Sequence, residues 1–164
     1  MKFKILDIQN FMSYKNASLN LSDRGLVLVE GKKGGVTTKS NGSGKTNLFE
    51  AILWCLFGTL YTKKVLANEV VYNYKNDCEV GLEVDNWKVT RYRKHKKFKN
   101  ELWLEIDGKD RRGKNDEETQ EKIEKLLGST FTSFTNSVFL GQNVIKSFAS
   151  ATDTERKIIL EKLL

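Results

Sequence analysis

The reading of this chain turns on Leu26-Val27-Leu28-Val29-Glu30-Gly31, the segment Lys32–Ser40, and Asn41-Gly42-Ser43-Gly44-Lys45-Thr46-Asn47-Leu48-Phe49 after it. Leu26 to Val29 form a continuous apolar run, the pattern of a strand buried on both faces. Gly31 to Asn41 is rich in Gly, Lys and Thr without periodicity and reads as a loop. From Thr46 to Phe57, Leu48, Phe49, Ile52, Leu53 and Leu56 make the apolar side of a helix, and Gly58 stands where a C-cap belongs. Strand, glycine-rich loop and helix in this order are the setting in which Gly-Ser-Gly-Lys-Thr reads as a phosphate-binding loop.

The chemistry explains the residue types. Gly42 and Gly44 reach backbone angles closed to other residues, so successive N–H groups can turn inward. Those amides and the positive end of the helix dipole face a phosphate. Lys45 brings an ammonium to the β and γ oxygens, and the Thr46 hydroxyl suits Mg²⁺. ATP with Mg²⁺ is therefore the expected ligand; the bland alternative is a glycine-rich turn before an ordinary helix. One position departs from the pattern: Lys39 stands where the first glycine belongs. Gly31 is the expected substitute, with Lys32–Ser40 inserted between as an added basic segment or simply a solvated loop.

At 164 residues, with 39% hydrophobic and 30% charged residues, the chain reads as a soluble globular domain rather than a disordered one. No apolar stretch is long enough to span a membrane, since the longest, around Leu48–Phe57, is broken by Glu50. Met1-Lys2-Phe3-Lys4 leads into a strand pattern rather than a signal peptide. Cys55, Cys78 and the lone His95 assemble no zinc set and read as residues of a reduced, cytoplasmic protein. Net charge +7 and a pI near 9.3 favour an anionic partner.

Outward from the loop, Phe3 to Ile8 and Ala17 to Leu21 suggest a hairpin, with a turn at Asp23-Arg24-Gly25. Cys78–Val84, Trp87–Arg93 and Glu101–Ile106 read as antiparallel strands, with Asp85-Asn86 as one turn. Trp87 and Trp103 are expected on the inward face. Asn115 with Glu118 resembles a capping box that opens a helix to Leu127, closed by Gly128. Thr152 with Glu155 resembles a second, opening an aliphatic helix that reaches Leu164 with no cap of its own.

Three segments carry a resemblance: Ile8-Gln9-Asn10-Phe11-Met12-Ser13-Tyr14; Ser40 through Ile52 with Leu56-Phe57-Gly58; and Phe139-Leu140-Gly141-Gln142 followed by Glu155-Arg156-Lys157. In this order they resemble the N-terminal lobe of SMC-like repair ATPases of the SbcC or Rad-fifty type and their phage relatives. The resemblance implies an α/β P-loop NTPase of ABC type, with a mixed sheet, an antiparallel sheet and a C-terminal helix that begins a coiled coil. It divides the chain into a lobe over 1–151, with an antiparallel basic region at 78–107, and a coiled-coil root over 152–164. It implies that Asn41 helps position the γ-phosphate and water, that Gln142 meets Mg²⁺ beside Thr46, and that Met12 and Ser13 join residues 41–47 around the nucleotide. Met12 stands where the family often has arginine. Lys45 and Gln142 are the expected catalytic residues.

No aliphatic strand ending in Asp-Glu and no Leu-Ser-Gly-Gly signature occurs here. The family keeps both in a C-terminal lobe beyond the coiled coil, which makes that lobe, a second head and an SbcD-type nuclease the expected partners, in the cytoplasm (the host's, for a phage gene). Arg91, Arg93, Lys94, Lys96, Lys97 and Lys99 could grip the backbone of double-stranded DNA, or simply solvate a hairpin tip. Two other classes fit part of the pattern. A transporter ATPase subunit would normally keep its signature and acidic strand in one continuous domain. A nucleic-acid-binding module with an incidental glycine loop would bind DNA but not ATP.

Overall fold

Strand β1 (Phe3–Phe11) turns at Met12-Ser13 into β2 (Tyr14–Asn20), the hairpin expected from the alternation, with Leu6 opposite Leu19 and Ile8 opposite Ala17. This is a computed structural model, and it describes residues 1–31, 44–61, 67–74, 76–138 and residues 152, 153, 156 and 157. The chain divides into two compact units, Met1–Ile123 and Glu124–Leu164.

In the first unit, β3 (Cys78–Val84), β4 (Trp87–Arg93), β5 (Leu102–Ile106) and the short β6 (Lys109–Asp110) form an antiparallel meander. The meander does not stand beside the N-terminal hairpin as a second sheet. β3 pairs with β1, so all six strands form one antiparallel sheet in the order β2-β1-β3-β4-β5-β6. One face carries Leu6, Ile8, Val80, Leu82, Val89, Leu102 and Leu104, all buried. Helix α1 (Lys45–Phe57) covers it, packing on β1, β3 and β4. Phe11 meets Trp54 at 5.3 Å between ring centres. The Cys55 thiol donates to the Val80 carbonyl at 3.2 Å.

The end of α1 is closed in two ways. Gly58 takes φ 70° and donates to Trp54 O at 2.8 Å, as the sequence predicts. Its missing side chain also admits Arg91, whose Nη1 would lie 3.0 Å from a Cβ there. Arg91 Nε donates to Cys55 O at 3.1 Å, its Nη2 to Gln120 Oε1 at 2.7 Å, and Gln120 Nε2 to Leu56 O at 2.9 Å. A cation at the last carbonyls of a helix is favoured by the dipole. Burial brings the guanidinium down to about 10.

Helix α2 (Asp116–Leu127) starts as predicted. Asn115 Oδ1 accepts the Glu118 N–H at 2.8 Å, while Glu118 Oε2 accepts from the Lys114 N–H, one residue earlier than a strict capping box. At its other end Gly128 N–H bonds Lys125 O and Ser129 N–H bonds Glu124 O, a Schellman closure. Within the second unit, α3 (Phe131–Ser137) is capped by Thr130, which accepts the Ser133 N–H.

Two expectations are corrected. Leu26, Val27, Leu28 and Val29 are exposed and belong to no strand. A strand buried on both faces needs ladder partners and covering side chains, and among the described residues no strand pairs with this run. Trp103 does not face the helix. It pairs opposite Thr90 on the face turned away from α1, so Leu102 and Leu104 point at α1 in its place. There it joins Tyr92, Phe98 and His95 in an aromatic cluster, with Arg112 4.0 Å over its ring. Trp87 is in the core as expected. The expected helix over 152–164 lies outside the described residues except for residues 152, 153, 156 and 157.

Both cysteines are buried and free. Burial pushes each thiol up to about 12 from an ordinary 9.0. The thiolate is the reactive form. A disulfide reagent at pH 8 should leave Cys55 and Cys78 unlabelled in the folded chain and label both rapidly in denaturant, as read by absorbance of the released thiol.

Candidate nucleotide-binding site

Gly44 opens α1 in the left-handed region at φ 89°, and among the described residues no side chain caps the helix. The first turn holds no acidic residue and begins with Lys45. A helix start without a capping side chain presents backbone donors and a positive dipole end to an anion. The residues present therefore fit a phosphate group.

The β1–β2 turn supports this helix start. Asn47 Nδ2 donates to Ser13 Oγ at 3.0 Å, and Tyr14 Oη donates to Gly44 O at 3.1 Å. Ser13 Oγ comes so close that a Cβ on Gly44 would lie 2.6 Å from it. Glycine is thus required here both for its φ and for the close approach. The turn is held in its own right by Met12 N–H bonding Val70 O at 2.6 Å, with Met12 at φ 47°.

The predicted residues separate as follows. Ser13, Gly44, Lys45, Thr46 and Asn47 come together, and Met12 lies in the same turn, with Thr46 exposed. Asn41, Gly42, Ser43 and Gln142 lie outside the described residues, as does the inserted segment 32–40. Tyr14 was not singled out from the sequence. Its place next to Ser13 was the available signal, and burial raises its phenol. Glu50 was also missed: it is fully buried on α1, and its Oε2 accepts the Tyr61 N–H at 2.8 Å. Among the described residues no group of three or more His, Cys, Asp or Glu side chains gathers to hold a metal.

The basic residues separate too. Arg91 is not at the tip but at the end of α1, as described above, and Arg93 Nε donates to Asn68 Oδ1 at 3.0 Å. Lys94, Lys96, Lys97 and Lys99 are exposed around a tip closed by reciprocal bonds between His95 and Lys99, 2.8 and 2.9 Å. Lys96 Nζ pairs with Asp77 at 3.3 Å, and Lys97 Nζ lies 4.8 Å over the Phe98 ring.

Gly44→Ala should lower the melting temperature, through the strained φ and the overlap with Ser13 Oγ, by about 1–3 kcal/mol in stability. In the double variant Ser13→Ala, Gly44→Ala, the nearest contact becomes the Ser13 Cβ at 3.6 Å. The pair should therefore cost less than the sum of the single changes in a denaturation double-mutant cycle.

The family of AAA domains matches residues 6–164. The DNA double-strand break repair Rad50 ATPase of Methanococcus maripaludis is 27% identical over 167 residues, covering 100% of this chain and 16% of that protein. The protein of the same name from Methanocaldococcus jannaschii is 27% identical over 174 residues, covering 100% of this chain and 15% of that one. The chain thus spans about one sixth of the length of these relatives. A solved chain from work on the ATP-driven dimerization and DNA-stimulated activation of SMC ATPases shares the fold at TM-score 0.66 and 18% identity, with 100% of both chains covered. No helix among the described residues is long and apolar enough to cross a membrane. With a Gly-Ser-Gly-Lys-Thr sequence at the start of its first helix and a family match that runs over residues 6–164, the chain belongs to the AAA domain family.

Proposed function

We propose that this chain is the nucleotide-binding half of an ATPase head that acts in DNA double-strand break repair. The observation that carries the proposal is the start of α1 at Gly44, in the left-handed region and braced by Ser13, Tyr14 and Asn47. Asn41 to Asn47 would wrap the ATP phosphates, with Met12 and Ser13 alongside, and Lys45 would offset charge on the β and γ oxygens. Thr46 and Gln142 would hold Mg²⁺, which when bound neutralises charge on the transferred phosphoryl group. A C-terminal lobe would bring the acidic strand, and a second head the signature motif, so that the site is completed on dimerisation. Such a composite site works mainly by positioning and charge stabilisation. Closure of two heads would gate an SbcD-type nuclease in the cytoplasm.

Lys94, Lys96, Lys97 and Lys99 supply the proposed contact with double-stranded DNA, joined more loosely by Arg93. Arg91 is left out of it because its guanidinium is committed to α1 and Gln120.

Two measurements test the reading. ATP turnover should require this chain together with the C-terminal lobe, and Lys45→Ala should lower it by about 10²-fold or more; efficient turnover by the 164-residue chain alone would overturn the divided site. Duplex binding, followed by anisotropy across a salt series, should become less salt-dependent by about 0.9 in slope for each tip lysine changed to Ala. Arg91→Met should leave that slope unchanged while lowering stability.

A further inference from the structure

Tyr14 opens β2 directly opposite Phe11, across the Met12-Ser13 turn. Residues paired in this way share a face of the sheet. Phe11 is fully buried and stacks near Trp54 in the later part of α1, while Tyr14 reaches the start of the same helix. Its hydroxyl donates to the Gly44 carbonyl at 3.1 Å. That carbonyl also accepts the Leu48 N–H, the first bond of the helix, at 3.3 Å. Two donors therefore hold one oxygen, one from the helix itself and one from the sheet. Burial raises the phenol above its ordinary value, so the hydroxyl keeps its proton at neutral and mildly alkaline pH.

Holding that oxygen fixes more than the carbonyl. The peptide unit between Gly44 and Lys45 is planar and trans, so its C=O and its N–H point in opposite directions. The Gly44 C=O points along the helix toward Leu48 and Tyr14, and the Lys45 N–H points out of the helix start. Glycine tolerates many backbone angles, so Gly44 by itself sets this plane weakly. A swing of the plane would turn the Lys45 N–H away from an anion in front of the helix. The Asn47 bond to Ser13 joins two side chains and does not touch this peptide. The Tyr14 hydroxyl does.

We propose that Tyr14 is a positioning residue for phosphate binding: its hydroxyl fixes the Gly44–Lys45 peptide so that the Lys45 N–H faces the incoming phosphate. The inference deepens the nucleotide-binding reading above and rests on it. The hydroxyl itself touches no phosphate and acts through Gly44. Its effect falls on the phosphate nearest the helix start, which ADP, ATP and inorganic pyrophosphate all present, and not on the base. An amide already aimed at that oxygen needs no reordering when the ligand arrives.

The test is Tyr14→Phe in the 164-residue chain, which keeps the ring and removes the donor. The Asn47–Ser13 bond and the Leu48 N–H remain, so circular dichroism should be unchanged. The Kd values for ADP and for inorganic pyrophosphate should rise by the same factor, about fivefold. The Lys45 amide proton, followed by NMR, should move downfield when ADP saturates the unaltered protein and move far less in Tyr14→Phe. Arg91→Met, which loosens the other end of α1, should lower the melting temperature and leave the ADP Kd unchanged. That contrast separates positioning from a plain loss of stability. An unchanged ADP Kd in Tyr14→Phe overturns the inference alone, as does a full Lys45 amide shift in that variant. So does a loss for ADP that pyrophosphate does not share, or a Lys45 amide that ignores ADP in the unaltered protein. An unaltered chain that binds neither ADP nor pyrophosphate overturns the nucleotide-binding reading and the inference with it.

Discussion

The antiparallel ladder between β1 and β3 is the contact on which the placement of everything else depends. It joins Phe3 to Val84 and Gln9 to Glu79 across a long stretch of intervening chain. Closing a loop of that length costs about 4 kcal/mol in entropy. The ladder places Leu6, Ile8, Val80 and Leu82 together beneath α1, all buried, and each such side chain contributes about 1.5–3 kcal/mol. The helix therefore lies on a surface that neither hairpin could provide alone. Its N-terminus falls beside the β1–β2 turn, and its C-terminus falls over β4, within reach of Arg91.

What could be read in the sequence was local. α1, its Gly58 cap, the N-terminal hairpin, the Asp85-Asn86 turn and both ends of α2 each follow from side chains within a few residues of one another. Merging the two hairpin regions into one sheet was not legible, because no local signal says which edge of a strand another strand will take. The same gap explains Trp103. Its phase was fixed by pairing with Thr90 and by the inward pattern of Leu102 and Leu104, not by its own hydrophobicity. Leu26–Val29 shows the converse: an apolar run announces a buried strand, but only neighbours on both sides make it one.

At the site, the motif named the residue types and left out their support. Ser13 and Asn47 were expected near the phosphates; the bond between them, and the Tyr14 bond to Gly44, needed the fold. The basic run shows how charge density misleads. Arg91 and Lys94 stand three residues apart, yet one closes a helix beneath the sheet and the other sits on an exposed turn. Alternation along β4 separates them, so a run of cations is two populations with different work.

The close approach of Ser13 to Gly44 has a consequence for how such a domain can change over time. Gly44 is held by Ser13 and Tyr14, which belong to the β1–β2 hairpin. That hold on the helix start comes from the hairpin, far away in sequence from the segment between Gly31 and Asn41. Each doubling of a flexible connection adds only about 0.6 kcal/mol. Residues gained or lost between Gly31 and Asn41, in evolution or by design, would leave the hold of Ser13 and Tyr14 on Gly44 in place.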